Sequence, residues 1–160
     1  MKRFGCTGHQ NLGAHTRRLV AAHICGILLE EAGDEIVGVT SLAEGADQLF
    51  AFAVLAAGGR LHVITPSEGY EKSFGSAGSE IAYGALVALA TENTILPFEK
   101  PSQAAFLAAG KEIADRSDVL VAVWDGQPAA GKGGTADVVS YARARGIDLR
   151  VIWPNSAQRS

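Results

Sequence analysis

Apolar residues along this chain alternate between short uninterrupted runs and longer stretches with a helical period. In the segment 15–32, Val20, Ile24 and Leu28 recur four positions apart, which predicts an amphipathic helix. The run VLVAVW at 119–124 contains no polar residue, which is typical of a strand buried on both faces of a sheet. The same alternation continues to the end of the chain, so strands and helices are expected to follow one another.

The whole pattern predicts an α/β fold. The predicted strands lie at 2–5, 35–40, 61–65, 94–97, 119–124 and 149–153. The predicted helices lie at 15–32, 45–57, 76–91, 102–116 and 135–145, and Ser102 is the expected N-cap of the fourth. Strands that alternate with helices predict a mostly parallel sheet with helices on both faces. The irregular stretch at 66–77 is either an ordinary surface loop or a lid or partner-contact loop.

The composition narrows the class of protein. In 160 residues, 48% are hydrophobic and 19% are charged, which predicts a single domain over 1–160 with a sizeable core. The net charge is −3 and no stretch is rich in Lys and Arg, so nucleic acid is not an expected partner. No apolar run is long enough to span a bilayer, and no apolar region follows the basic start. Neither a membrane partner nor a signal peptide is therefore expected, and the predicted location is cytoplasmic.

The two cysteines predict neither a metal site nor a disulfide. Cys6 and Cys25 have no metal-ligand spacing, and reduced thiols are expected in a cytoplasmic chain. Cys25 lies in an apolar helical stretch and is expected in the core. Cys6 is expected in a loop, either as a passive small residue or as a reactive thiol.

Three loops are candidates for a binding site because parallel sheets bind ligands at the carboxyl ends of their strands. They lie at 5–15, 40–47 and 124–135. The last nearly completes two nucleotide-binding motifs. Residues 126–132 match seven positions of a P-loop, but Gly133 stands where a Ser or Thr would bind Mg²⁺. Residues 131–136 fit G-x-G-x-x-A, but the acidic residue expected about twenty positions later is missing.

Neither a P-loop NTPase nor a standard NAD site is therefore expected, and Mg²⁺ stays an open alternative without an identified ligand set. Both motifs share a glycine loop before a helix N-terminus, which favours anion binding. Lys132 adds a positive charge, Thr135 could cap the helix or bond a phosphate oxygen, and Asp125 could accept from ribose hydroxyls. The candidate ligand-binding residues here are Asp125, Gly126, Lys132, Gly133, Gly134 and Thr135. The alternative is a flexible turn with a capping threonine.

The first loop supplies polar candidates. Thr7 and Gly8 suit contact with a phosphate, and His9 and Gln10 can hydrogen-bond a base, a sugar or a phosphate. Arg17 lies in the first turns of the following helix, where a basic residue opposes the helix dipole. That placement points to an anionic partner.

The second loop adds Ser41, Glu44, Gly45 and Asp47 to the candidate ligand-binding residues. Ser41 or Glu44 could contact the start of the next helix, and Gly45 permits a tight turn. Asp47 either complements the helix dipole or holds the ligand loops or a ribose.

These residues resemble the SLOG superfamily of Rossmann-like domains. SLAEGADQLFA at 41–51 resembles the S-G-L-A-x-G-I-D-x-x-A signature of the DprA family. TGHQ at 7–10 is similar to the first loop of small bacterial relatives, and 117–142 is similar to their strand, GGT loop and helix. The resemblance implies a Rossmann-like three-layer α/β/α fold that binds nucleotides or their derivatives at these loops. It also makes a homodimer or higher homo-oligomer an expected partner.

The LOG branch of the superfamily consists of phosphoribohydrolases, and this chain departs from its pattern. LOG enzymes carry P-G-G-x-G-T-x-x-E, and in that frame Val138 stands at the glutamate while Asp137 is one position off. Their arginine corresponds to Ala109 here. Cleavage of a glycosidic bond needs a carboxylate, so Glu44, Asp47 and Asp125 are the candidate catalytic residues.

Three functions stay open from the sequence. The first is binding of a nucleotide or nucleotide-derived phosphate ligand, as in a sensor. The second is a hydrolase or transferase that acts on the N-glycosidic bond of a nucleoside monophosphate. The third is a homo-oligomeric partner-binding protein, in which alanine-rich helices such as 79–90 pack together. Whether the chain is an enzyme is not decided by its sequence.

Overall fold

The computed structural model describes residues 1–31, 33, 35–128 and 134–157. Its strands are β1 (Lys2–Gly8), β2 (Ile36–Thr40), β3 (Arg60–Thr65), β4 (Glu92–Ile95), β5 (Val119–Val123) and β6 (Asp148–Ile152). Its helices are α1 (Ala14–Glu31), α2 (Ala46–Ala56), α3 (Ala77–Leu89), α4 (Gln103–Arg116) and α5 (Thr135–Ala144). A short 3-10 helix, Tyr70–Ser73, follows β3. The predicted α/β alternation is confirmed.

The six strands of the described chain form one parallel sheet in the order β4-β3-β2-β1-β5-β6. The chain moves outward from β1 to β4 and then returns to the other side of β1 with β5. Gly8 at the end of β1 pairs in register with Val123 at the end of β5. The loops after β1 and β5 therefore leave in opposite directions around a topological switch point, where such sheets bind ligands.

Helices cover both faces of the sheet, which forms the predicted three layers. On one face, Phe50 and Val54 of α2 pack in a cluster with Phe4 and with Val20 and Ile24 of α1. On the other face, residues of α4 and α5 pack against alternate strand residues such as Leu120. Both β2 and β5 are buried along their whole length, as the run at 119–124 predicts. The sheet is thus a rigid platform for its carboxyl-end loops.

The structure corrects the prediction for both cysteines. Cys25 is exposed, because α1 buries only the narrow stripe of Thr16, Val20, Ile24 and Leu28. Cys6 lies within β1 rather than in a loop and is fully buried. Burial raises the pKa of the Cys6 thiol well above its usual value, with a smaller contribution from Asp47. The thiol is therefore held in its protonated form.

Close backbone packing joins the start of α2 to the end of β1. Ala46 N–H donates to His9 O at 3.2 Å. A Cβ on Gly45 would lie 2.3 Å from Gln10 O, and one on Gly8 would lie 2.6 Å from the Ala46 Cβ. Gly45 also has φ +86°, a conformation that side chains disfavour. Both glycines therefore have a packing role beside the predicted ligand role.

Two further expectations concern the membrane and the homo-oligomer. No helix in the described ranges is both long enough and apolar enough to cross a membrane. Helix α3 leaves Ile81 and Leu89 largely exposed. Because no second chain is present, the homo-oligomer stays a prediction.

We expect Gly45→Ala to lower the free energy of unfolding by about 3 kcal/mol or more, since it combines a strained φ with contact against two carbonyl groups. The matched control is Gly58→Ala, where φ is +79° but no atom lies within 4 Å of the new Cβ. The control is expected to cost only about 1 kcal/mol, from backbone strain alone. Urea unfolding of both variants measures the difference. Equal losses in the two variants would contradict the packing role of Gly45.

Candidate functional site

A cavity of about 350 Å³ opens at the switch point, within the size range of small-molecule sites. Its floor is formed by the ends of β1 and β2 and the first turn of α2, including Thr7, Ser41 and Asp47. One wall is the start of α5 from Gly134 to Ala136. Another part of the lining is an aromatic wall, which carries Tyr70, Phe74 and Phe106.

Ser41 is the floor residue with an unsatisfied polar group. Its side chain is only 7% exposed, and its Oγ has no hydrogen-bond partner among the described residues. A buried polar group in that state typically costs about 1–3 kcal/mol. The neighbouring groups are satisfied, since Thr40 Oγ1 accepts from Leu42 N–H at 3.1 Å. Ser41 Oγ is thus the buried side-chain oxygen of the described floor residues that has no hydrogen-bond partner there.

Asp47 places a buried carboxyl group on the same floor. It is 6% exposed, and its Oδ2 accepts from Ala43 N–H at 3.2 Å. Burial raises the pKa of Asp47 from 3.8 to about 7, although the Ala43 N–H and the Cys6 and Thr40 side chains each lower it. Near neutral pH this carboxyl group exists in both protonation states, which suits general acid–base chemistry.

His9 ties the first loop to the third. Asp125 N–H donates to His9 Nε2 at 3.1 Å, and Asp125 Oδ1 lies 3.2 Å from the same nitrogen. The Asp125 carboxylate also accepts from Gln127 N–H, at 3.0 Å. On its other side the His9 ring makes an edge contact with Trp153, with ring centroids 5.4 Å apart. Asp125 is thus engaged with its own loop and with His9, and it does not line the cavity.

The aromatic wall is a cluster of edge-to-face rings. The Tyr70 ring contacts Phe74, Tyr83 and Phe106, with centroid separations from 5.1 to 6.1 Å. Tyr70 is buried, whereas Phe74 and Phe106 are half-buried and line the cavity. Burial raises the pKa of the Tyr70 hydroxyl well above its ordinary value. The wall therefore offers neutral aromatic surface to a ligand.

At the start of α5, Gly134 is the N-cap and its backbone is extended, without a side chain that caps the helix. Thr135 is the first helical residue instead, so the expectation that it caps the helix is wrong by one position. Val138 is buried on the cavity side of the same helix. A Cβ on Gly110 would lie 2.4 Å from Val138 Cγ2, so α4 and α5 are in close contact there.

The structure brings most of the predicted site residues to one place. Those that line the cavity are Thr7, Gly8, His9, Gln10, Ser41, Asp47, Gly134 and Thr135. Those in the described chain that do not line it are Arg17, Glu44, Gly45, Asp125 and Gly126. Glu44 instead accepts from the Ser76 hydroxyl at the N-cap of α3. Lys132 and Gly133 lie outside the described residues.

Several lining residues have no counterpart among the predictions. They are mainly the aromatic wall with Pro66 and Ser73, and Trp124, Gln127 and Pro128 after β5. The irregular 66–77 segment, which supplies Tyr70 and Phe74, is expected from the sequence only as a surface loop, a lid or a partner-contact loop. Among the described residues, no group of three or more His, Cys, Asp or Glu side chains is arranged to hold a metal ion.

Comparisons with known proteins give relatives in structure only. No protein-family model and no curated protein matches the chain. The structure is similar to DNA processing protein A (DprA) from Streptococcus pneumoniae, with a TM-score of 0.69 and 19% identity over 97% of this chain. It is also similar to DprA from Helicobacter pylori, with a TM-score of 0.66 and 13% identity over 99% of this chain. The Helicobacter pylori protein has a single-stranded DNA binding mode.

A third similar structure is the structural-genomics target TM1055, with a TM-score of 0.59 and 16% identity over 93% of this chain. The chain spans 51% of the pneumococcal DprA chain, 68% of the Helicobacter pylori chain and 72% of TM1055. Identities this low establish the fold alone. The Rossmann-like fold that the SLOG resemblance implies is thereby confirmed.

Replacement of Asp47 by Asn is expected to change how stability depends on pH. Because the folded pKa is about 7 and the unfolded value is 3.8, the folded protein retains a proton that the unfolded chain has released between these values. The free energy of unfolding of the wild type, relative to Asp47→Asn, should therefore fall as the pH rises from about 4 to about 7, by up to about 4 kcal/mol.

Urea unfolding of both proteins at pH 4 to 8 measures this difference. Contributions from other groups, such as Glu31 and Asp148 with their lowered pKa values, are common to both proteins and cancel. A difference between the two proteins that does not vary with pH would contradict the burial of an ionisable group at this position.

Proposed function

We propose that this domain binds a nucleotide, or a phosphate-bearing derivative of one, in the cavity at the switch point. The observation that carries the proposal is the pairing of an uncapped helix N-terminus with an aromatic wall across one cavity of about 350 Å³. Anions bind at helix N-termini, and bases stack on aromatic rings. A nucleotide carries an anionic phosphate at one end and a planar base at the other.

The phosphate would bind the backbone N–H groups at the start of α5. Gly134 contributes no side chain, so a phosphate can approach the first turn closely. Among the described residues that line the cavity there is no Lys or Arg. The helix N-terminus is therefore the anion-binding element in this proposal, and Lys132 is the candidate for an added positive charge.

The base would bind against Phe74 and Phe106, whose rings are half-buried at the cavity wall. The edge contacts with Tyr70 hold the cluster together. Such a wall favours planar groups over aliphatic ones, because stacking adds to the burial of apolar surface.

A short nucleotide is favoured over a DNA strand as the ligand. The single-stranded DNA binding mode of the Helicobacter pylori relative argues for a DNA strand as the ligand. However, this chain has a net charge of −3, and no Lys or Arg is among the described residues that line the cavity. A strand needs a positive surface along its backbone, whereas a single nucleotide needs only one anion site.

Gly134→Asp is expected to abolish binding while the fold persists. With φ −70° and ψ 167°, position 134 suits an aspartate N-cap, whose carboxylate would occupy the N–H groups and repel a phosphate. Nucleotide affinity should fall at least about tenfold, and the ligand-free protein should gain about 1 kcal/mol of stability from the cap. The matched control, Gly134→Asn, caps the helix without the charge and should lose less affinity.

A thermal-shift series with nucleoside monophosphates, ADP-ribose, NAD and cyclic nucleotides, with and without Mg²⁺, measures binding. A ligand at a hundred times its dissociation constant stabilises the fold by about 2.7 kcal/mol. Unchanged affinity of Gly134→Asp for every bound nucleotide would remove the phosphate assignment. If a single-stranded oligonucleotide binds and no nucleotide of the series does, DNA is favoured as the ligand instead.

The position of Asp47 supports a second candidate function, hydrolysis of an N-glycosidic bond. In that reaction water adds to the anomeric carbon of a nucleoside monophosphate, and the base leaves with a proton, which gives free base and ribose 5-phosphate. Asp47 lines the cavity, and its pKa of about 7 lets its carboxyl group donate that proton near neutral pH. Glu44 and Asp125 do not line the cavity, so Asp47 is the stronger candidate.

If this reaction occurs, Asp47→Asn should lower base release by at least about a hundredfold, the usual range for loss of a general acid. The wild-type rate should fall as the pH rises above about 7, because the proton donor is then lost. Chromatography of nucleoside monophosphates after incubation at high protein concentration measures release. Asp118→Asn is the control. That carboxylate accepts from Arg3 N–H before β5, at the amino ends of the strands, whereas the cavity lies at their carboxyl ends. Release that persists in Asp47→Asn would exclude the role.

A further inference from the structure

The buried hydroxyl group of Ser41 calls for a partner that the described protein does not supply. Ser41 is one of the residues that line the cavity, and its Oγ is shielded from bulk solvent and lacks a hydrogen bond within the described residues. Native proteins leave few buried polar groups in this state, and those that remain often serve a ligand. The position therefore marks a point where a ligand group is expected.

The turn that presents Ser41 is held firmly. Leu42 has φ +58°, which is unusual for a residue with a side chain, and it is completely buried. Gln48 Nε2 donates to Leu42 O at 3.2 Å and to Ser79 O at 2.9 Å, which joins the turn to α3. These contacts hold the backbone next to Ser41 in place at the cavity floor.

The order of the strands assigns this floor to the middle of a bound nucleotide. The start of α5 follows β5, and Tyr70 of the aromatic wall follows β3. Between β5 and β3 lie β1 and β2, whose ends carry Thr7 and Ser41. Neighbouring strands are about 4.8 Å apart, so the floor lies between the phosphate and base positions. The part of a nucleotide that joins its phosphate to its base is the sugar.

We infer that Ser41 hydrogen-bonds the 2′-hydroxyl group of a ribose and Asp47 the 3′-hydroxyl group, so that the site selects ribonucleotides over 2′-deoxyribonucleotides. This inference rests on the proposed nucleotide binding. A ribose diol can satisfy the Ser41 hydroxyl and the Asp47 carboxyl group together, since each hydroxyl group both donates and accepts. A deoxyribose leaves one of these buried groups without a partner, and a site built for a hydroxyl group rejects such an analogue strongly.

The test compares AMP, GMP, CMP and UMP with their 2′-deoxy counterparts by titration calorimetry. The wild type is expected to bind at least one ribonucleotide about tenfold or more tightly than its deoxy form. Ser41→Ala should lose about tenfold in ribonucleotide affinity and leave the deoxy form within about twofold, so the ratio collapses. Ser117→Ala is the control. That hydroxyl group donates to Ile113 O before β5, at the amino ends of the strands, whereas the cavity lies at their carboxyl ends. It should retain the wild-type ratio.

A stability measurement separates loss of a contact from loss of the fold. Ligand-free Ser41→Ala should be at least as stable as the wild type, because it removes an unpaired buried hydroxyl group. If Ser41→Ala does not fold, Ser41→Cys keeps the volume with a weak hydrogen-bonding group and should show the same collapsed ratio. Equal binding of both sugar forms by the wild type, or a retained ratio in Ser41→Ala, would overturn this inference and leave nucleotide binding intact. Absence of binding for all eight nucleotides would overturn this inference, and the proposed nucleotide binding would fall with it only if the wider thermal-shift series were also flat.

Discussion

Three loops of this domain are joined through one residue, His9. Its N–H donates to Val123 O at the end of β5, and its carbonyl accepts from Ala46 N–H at the start of α2. Its ring contacts the Asp125 loop. These contacts fix the distance between the β5 loop and the β2 loop, and Gly45 allows them because a side chain there would displace the backbone of residues 9–10. The cavity keeps its shape because the loops around it share this anchor.

The floor of the cavity is costly for the folded state. Asp47 is buried without a basic side chain among the causes of its shifted pKa, and Ser41 Oγ lacks a partner among the described residues. Burial without full hydrogen bonding disfavours polar side chains, so both groups cost free energy in the folded state. Ser41 directly follows β2, Asp47 lies in the first turn of α2, and both residues line the same cavity. The proposed nucleotide would supply hydrogen-bonding groups to both.

The fold could be predicted from local signals in the sequence, but much of the site could not. Glycine and proline residues such as Gly33 and Pro66 end elements where the pattern predicts, and each observed strand overlaps its predicted range. The weakest match is β4, predicted at 94–97 and observed at Glu92–Ile95, because this edge strand is largely exposed and its apolar residues are not buried. The switch-point loops were predictable because parallel strands end at one edge. The aromatic wall was not, since Tyr70 and Phe106 meet only through tertiary packing.

The two positions that depart from the LOG pattern, Ala109 and Val138, have packing roles in this fold. Ala109 is buried in the same apolar cluster as Val138, and Val138 touches the α4 backbone at Gly110. An arginine and a glutamate at these two positions would put charges into a close helix contact, at a high desolvation cost. The lining that α4 and α5 contribute near these positions, Gly110, Ile113 and Val138, therefore carries no charged side chain. Among the described residues that line the cavity, the carboxyl group belongs to Asp47, in the first turn of α2. The glycosidic chemistry proposed above as a second candidate function would use the floor of the cavity, whereas the LOG resemblance implies residues on the two helices.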